Sequence, residues 1–311
     1  MKGFTIKRKR LSKVQQRSRN YVYRRGIWYI FGLTLFYAPF ALFNRGLNML
    51  FGQGKDGDIH GTCLRMPIGD LLSGKGLDLM SVWGVSIALL LGSAFLIGPF
   101  FCGRLCAAGA FTEYLSRLWP DNWKIDWSRV VNPAPIRYGF LAGFVIAPLT
   151  TGSVSCSYCS YGFFERMLTG GFWGDVGVMS STVILTAFLW FVVFGLFAKG
   201  GRGYCNFMCP VGAIQSFVHS LGALFGFTFK LKYDRSKCVS CESCLKACPM
   251  GALKKAEDNK IQYNIHHCIT CRQCTAACPT SAISYGTGER GWDNKTVTVS
   301  PLEKPTVKEG A

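Results

Sequence analysis

The chain has 311 residues, 49% of them hydrophobic and only 17% charged, against about 25% charged in an ordinary soluble domain. Its mean hydropathy is +0.21 and its net charge +18, which together exclude an intrinsically disordered chain. Fifteen Cys in so long and apolar a chain exclude a small disulfide scaffold, and four His in all argue against His-based haem or zinc chemistry.

Taken from the start, residues 1–25 carry ten Lys and Arg and no acid. An arm of this kind suits nucleic acid or a membrane flank. It runs directly into the apolar stretch Gly26 to Phe43, so the flank is the better reading and nucleic acid is not needed. Three further apolar runs follow: Met80 to Phe101, with no charge in 22 residues, Tyr138 to Val154, and Val176 to Ala198. A span needs about 20 apolar residues, so the pattern predicts four transmembrane helices. Lys and Arg concentrate in the arm, between Phe101 and Arg137, and after Lys199, whereas Thr150 to Asp175 holds only Arg166. The positive-inside rule then predicts a multi-pass protein of the bacterial inner membrane with both termini cytoplasmic.

The cysteines fall into three groups. The first in chain order is His60-x2-Cys63 with Cys156-x2-Cys159, which the predicted topology places on the outer face. One imidazole and three thiols suit a metal or cluster; a Cys156–Cys159 disulfide and a thiol-exchange pair are equal alternatives.

The second group is a duplication. Cys102-x3-Cys106 and Cys205-x3-Cys209 are each followed, after two residues, by Gly-Ala and an apolar residue: Gly109-Ala110-Phe111 and Gly212-Ala213-Ile214. If each pair is helical, i and i+4 put both thiols on one side, and the two pairs could close a four-thiolate site for a further iron–sulfur cluster. Unliganded, helix-end thiols are the plainer alternative.

The third group is the most specific. Cys238, Cys241, Cys244 and Cys248 precede Pro249, and Cys268, Cys271, Cys274 and Cys278 precede Pro279. Both read C-x2-C-x2-C-x3-C-P, the bacterial two-cluster ferredoxin spacing, in which the fourth Cys serves the other cluster. The expected [4Fe–4S] ligand sets are Cys238, Cys241, Cys244 and Cys278, and Cys268, Cys271, Cys274 and Cys248. Zinc is the alternative for C-x2-C pairs. No C-x-x-C-H occurs and no His lies in an apolar run, so no haem is expected.

The expected fold is therefore a four-transmembrane-helix domain with a C-terminal α+β two-cluster ferredoxin domain. Residues 1–25 form the arm, 26–220 the membrane domain, 221–286 the ferredoxin domain and 287–311 a flexible tail.

The order of these motifs resembles the membrane-bound ferredoxin-type proteins of periplasmic nitrate reductase systems (the NapH type), their relatives in methylamine utilisation (the MauN type), and the membrane half of NosR-type proteins. Ala107 stands where that family has Pro, and the Cys156-x2-Cys159 pair lies outside its pattern. The resemblance implies oxidation of quinol from the membrane pool. It also implies electron delivery toward a periplasmic redox partner, with a second ferredoxin-type subunit as a further partner. Two rivals fit the same residues: an electron donor for maturation of a metalloenzyme or thiol partner, and a redox-sensing regulator.

Overall fold

The computed structural model describes residues 2–51, 64–72, 74, 76, 81–150, 158–169, 181–256 and 259–292. Its helices are α1 (Lys2–Phe36), α2 (Leu42–Phe51), α3 (Arg65–Leu72), α4 (Val82–Ile97), α5 (Ala107–Ser116), α6 (Trp127–Val130), α7 (Pro133–Thr150), α8 (Ser160–Leu168), α9 (Ser181–Phe188), α10 (Gly203–Phe207) and α11 (Pro210–Gly222). Two π-helical segments, Phe101–Leu105 and Leu189–Leu196, join them. The C-terminal part adds strands β1 (Lys230–Tyr233), β2 (Leu253–Lys255), β3 (Ile261–Tyr263) and β4 (Ile283–Gly286) with helices α12 (Ser243–Ala247) and α13 (Gln273–Ala277).

The expected four-transmembrane-helix domain is overturned. Among the described residues, no helix is long and apolar enough to cross a membrane. The apolar runs are real, but the backbone divides them. Helix α4 has 16 residues and stops at Gly98, whose φ of 76° breaks the helical path. The fourth run changes from α to π geometry at Leu189. Helix α7 opens Pro-Ala-Pro and carries Arg137 within its first turns. Helix α1 is 35 residues long, but its first two-thirds are basic and polar. The expected multi-pass inner-membrane placement with cytoplasmic termini falls with the spans on which it rested. Apolar side chains such as Ile27, Ile30, Phe31, Leu89 and Phe188 nevertheless stay exposed, so the apolar residues are not all used in the core.

The helical part is held by an aromatic core. Tyr37, Phe163, Phe164, Trp190, Tyr204 and Phe207 are buried together, with Tyr37 stacked on Tyr161 at 4.2 Å between centroids. Aromatic pairs of this kind add about 0.5–1.5 kcal/mol beyond the area they bury. The Trp-rich stretch after Leu118 forms short turns: Trp123 is 69% exposed, and Trp127 donates to the carbonyl of Val193 at 3.2 Å.

The C-terminal part is two small antiparallel sheets. Strand β1 pairs with β4, from Lys230↔Gly286 to Tyr233↔Ile283, and β2 pairs with β3, from Leu253↔Tyr263 to Lys255↔Ile261. Trp292 closes this part by stacking on Tyr233 at 4.6 Å and lying 4.7 Å from Tyr263. It lies inside the stretch expected to be a loose tail, of which residues 293–311 fall outside the described residues.

The basic arm is helical and rests on the ferredoxin part. Arg17 donates to the carbonyl of Thr275 at 2.9 Å and Tyr21 to that of Cys271 at 3.0 Å.

Candidate iron–sulfur centres

The two C-x2-C-x2-C-x3-C-P segments fold as copies of one another. Asp234 caps a short turn by accepting from the Ser236 amide, and Asn264 does the same for His266. Cys238 and Cys268 follow in extended conformation. The chain then turns left-handed twice in each copy, at Ser240 (φ 53°) and Glu242 (57°), and at Thr270 (45°) and Arg272 (60°). Left-handed geometry at a residue other than Gly costs about 1–3 kcal/mol and persists only where the surroundings impose it. Its effect is to turn successive N–H groups toward one concavity, the backbone nest that receives anions and iron–sulfur clusters. One such N–H is visible: Thr270 donates to Sγ of Cys268 at 3.3 Å.

The structure brings the predicted ligand sets together. Cys238, Cys241, Cys244 and Cys278 line one cavity of about 310 Å³, part of it open to solvent. The fourth thiol therefore arrives from the second motif, as the spacing predicts. Cys268, Cys271 and Cys274 are buried. Burial pushes the Cys268 thiol up to about 12, and negative charge on the neighbouring Cys271 and Cys248 acts in the same direction. Among the described residues, no three His, Cys, Asp or Glu gather closely enough to hold a single metal ion.

The second group is also assembled, though not by the expected i, i+4 helix. Cys102 lies in the π-helical turn, while Cys106 is extended and caps α5. Cys205 lies in α10, while Cys209 is extended and caps α11, its sulfur accepting from the Gly212 amide at 3.5 Å. In each copy the first thiol lies within a short helical turn and the second begins the next helix. Each of the other sulfurs also faces a polar group. Gln215 Nε2 donates to Cys102 Sγ at 3.4 Å. The Tyr37 hydroxyl, which accepts from the Ala108 amide, lies 3.9 Å from Cys106 Sγ. The Arg202 guanidinium approaches Cys205, and Gly109 lies against both: a Cβ there would stand 2.7 Å from Arg202 Nη1 and 3.2 Å from Cys205 Sγ.

Two buried arginines serve this site. Arg202 is 1% exposed and donates to Glu113 at 2.6 Å, to the Tyr29 hydroxyl at 2.7 Å and to the Cys102 carbonyl at 2.9 Å. Glu113 also accepts from Arg25 at 2.6 Å and Arg117 at 2.8 Å. Burial alone would raise the Glu113 carboxyl, but Arg25, Arg202 and Arg117 outweigh it and hold it at about 2. Arg137 differs. It is 1% exposed, donates through Nη1 to the carbonyl of His266, and leaves Nε without a partner. Burial lowers its pKa, while negative charge on Cys209, Cys102 and Cys205 favours its charged form. No carboxylate among the described residues pairs with it.

This site abuts the second ferredoxin set. Cys102 and Cys205 pack with Met250, Ile269, Cys271 and Cys248. Asn206 donates to the Met250 carbonyl at 3.2 Å and lies 2.7 Å from Nδ1 of His267.

The first group divides. His60, Cys63 and Cys156 lie outside the described residues. Cys159 caps α8, its sulfur accepting from the Gly162 amide at 3.4 Å. Tyr204, in the helix of Cys205, donates to the carbonyl of Tyr158 at 2.6 Å, and negative charge on Cys159 acts on both Tyr204 and Cys209. Of the predicted outer-face site, only Cys159 lies among the described residues. Sequence reasoning also missed Tyr37, Glu113, Arg137, Arg202 and Gln215 as parts of a site; the duplicated Gly was the available signal.

Known proteins match in segments. The 4Fe-4S dicluster domain matches residues 230–279, a second 4Fe-4S dicluster family matches 201–252, and a 4Fe-4S binding domain matches 79–126. An uncharacterized protein of Methanocaldococcus jannaschii is 27% identical over 170 residues, 53% of this chain and 56% of the relative. The ferredoxin-type protein NapH of Escherichia coli is 27% identical over 150 residues, 48% of this chain and 47% of the relative. The chain thus spans about half the length of the curated relatives it matches. No solved structure matches.

Proposed function

We propose that this chain, an iron–sulfur electron-transfer protein with ferredoxin-type domains, holds three [4Fe–4S] clusters in succession. Cys238, Cys241, Cys244 and Cys278 would hold the first, Cys268, Cys271, Cys274 and Cys248 the second, and Cys102, Cys106, Cys205 and Cys209 the third. Each bound cluster supplies one-electron chemistry. The protein supplies the nests that face the sulfurs, the burial of Cys102, Cys268, Cys271 and Cys274, and the cations that balance their charge.

One observation carries the third assignment: the guanidinium of Arg137 is buried, pairs with no carboxylate among the described residues, and feels the charge of Cys209, Cys102 and Cys205. A buried ion without a counter-ion costs several kcal/mol. A four-thiolate cluster is anionic and would remove that cost. An anaerobic iron and sulfide count tests the reading. Three clusters give about twelve irons per chain, and Cys102→Ser with Cys209→Ser lowers this to about eight, at four irons per cube. Eight irons in the unaltered protein would overturn the third assignment.

The resemblance to NapH-type proteins supports a finer reading in which quinol is the electron source, its two electrons leaving singly. Oxidation of a menaquinol analogue by the iron-loaded protein tests this, and no oxidation would restrict the chain to protein-borne electrons. Negative charge on Cys159 acts on Cys209, which favours a second reading, electron delivery to a thiol partner: a partner disulfide takes two electrons and two protons and leaves as two thiols. Loss of disulfide reduction in Cys159→Ser, with iron content unchanged, would support it.

A further inference from the structure

The third thiol set lacks the device that serves the other two. In each ferredoxin motif, left-handed residues turn backbone N–H groups toward the sulfurs. None of residues 102–106 or 205–209 is left-handed, so donors to these sulfurs come from elsewhere. The two copies also differ. Cys209 Sγ accepts directly from an amide at the start of its helix, that of Gly212. Cys106 stands at the same point of α5, but its sulfur accepts no such cap bond.

The Tyr37 side chain takes that place. Its hydroxyl accepts from the Ala108 amide, in the first turn of α5, at 3.2 Å and lies 3.9 Å from Cys106 Sγ. A thiolate that ligates iron has no proton to give. The O–H is then the donor and the sulfur the acceptor, and the amide behind the hydroxyl polarises it further. The ring is wholly buried, fixed by its stack on Tyr161 and by an edge contact with Phe164 at 5.4 Å. Gln215 makes the matching contact with Cys102. It is wholly buried, its Nε2 lies 3.4 Å from the sulfur, and its Oε1 has no partner among the described residues. That orientation leaves a buried oxygen unpaired, a cost offset once the sulfur is anionic and the N–H bond to it is charge-assisted.

We propose that Tyr37 and Gln215 set the reduction potential of the third cluster by donating hydrogen bonds to Cys106 and Cys102. The inference rests on the assignment of that cluster to Cys102, Cys106, Cys205 and Cys209. One electron gained there adds one negative charge, which the two hydrogen bonds stabilise. No covalent bond forms or breaks, and Tyr37 keeps its proton. Donors to the sulfurs raise the potential, so both residues make the third cluster easier to reduce.

The test is a potentiometric titration of the anaerobically purified full chain, followed by EPR, with dithionite as reductant and ferricyanide as oxidant. The signal of the third cluster is the one missing from the Cys102→Ser with Cys209→Ser protein. Tyr37→Phe and Gln215→Leu should each lower the equilibrium constant for its one-electron reduction about tenfold, a fall of about 59 mV, with about twelve irons kept. 3-Fluorotyrosine at position 37, a stronger donor of nearly the same size, should move the potential upward. A role in packing alone gives no such opposite signs. The control is Ser116→Ala in α5, whose buried hydroxyl donates to the Ala198 carbonyl at 3.1 Å; it should leave the potential in place. An equal shift in the control overturns the proposal, and so does a potential unmoved in both variants. Iron falling to about eight in both variants also overturns it, since the two donors then hold the cluster and do not tune it. If Tyr37→Phe fails to fold, Gln215→Leu and the fluorotyrosine protein carry the test. About eight irons in the unaltered protein would instead overturn the cluster assignment, an outcome the iron count separates from failure of the tuning.

Discussion

A Cβ placed on Gly212 would lie 2.8 Å from Nη2 of Arg137. Gly109, its counterpart in the duplicated motif, stands in the same relation to Arg202, at 2.7 Å. Each glycine makes room for one buried guanidinium beside the thiols. Gly212→Ala should destabilise the protein by about 1–3 kcal/mol, the usual cost of overpacking, and reduce retained iron. Gly139→Ala in α7, where nothing lies within 4 Å, should stabilise by about 0.5–1 kcal/mol through helix propensity. Thermal melts of the two variants check both signs.

Arg137→Met gives opposite results with and without iron. In iron-free protein the substitution removes a buried cation that lacks a carboxylate, and stability should hold or rise. In the loaded protein it removes the counter-charge of the third cluster, and about four irons per chain should be lost. Denaturant titration of the iron-free form and iron analysis of the loaded form read the two effects separately.

Glu113 links stability to acid. Its carboxyl sits at about 2 against an ordinary 4.5, so the folded state binds its proton less readily than the unfolded state does. The contribution, about 3 kcal/mol from that difference, is present above pH 4.5 and is lost as pH falls toward 2. Glu113→Gln should abolish this part of the acid slope. At neutral pH it should also cost about 3–5 kcal/mol, because Arg25 and Arg202 remain buried without their acid. Urea midpoints at pH 7 and pH 3 check both.

Thr270 tests the nests. Thr270→Gly relieves a φ of 45° at a branched residue while keeping its N–H, and iron content should be unchanged. Thr270→Pro cannot adopt that φ and removes the donor to Cys268 Sγ. It should lose about four irons, one cube, from the second set only, and EPR of the reduced protein should show which signal disappears.

The ferredoxin part was legible because ligand order along the chain is itself the geometry: Cys278 reaches the cavity of Cys238 as the spacing implies. The duplicated Cys pairs were legible as a set but not in shape. A helical reading ignores that Cys106 and Cys209 are caps in extended conformation. The membrane spans were misread because hydropathy counts residues and cannot register a left-handed Gly98 or a switch to π geometry at Leu189. Arg137 entered the sequence reading only as a loop charge. Its role depends on where α7 packs against α10 and α11, which no local pattern encodes.

The contacts of Arg17 with Thr275 and of Tyr21 with Cys271 join positions 258 and 250 residues apart. A ribosome releases the first partner of each pair long before the second, so the opening helix must wait, unsatisfied, for nearly the whole chain to be translated. Such long loops slow folding, and domains otherwise tend to mature from the N-terminus as they emerge. Those two contacts, which bring α1 over the second thiol set, can therefore form only once residues 271–275 have been made.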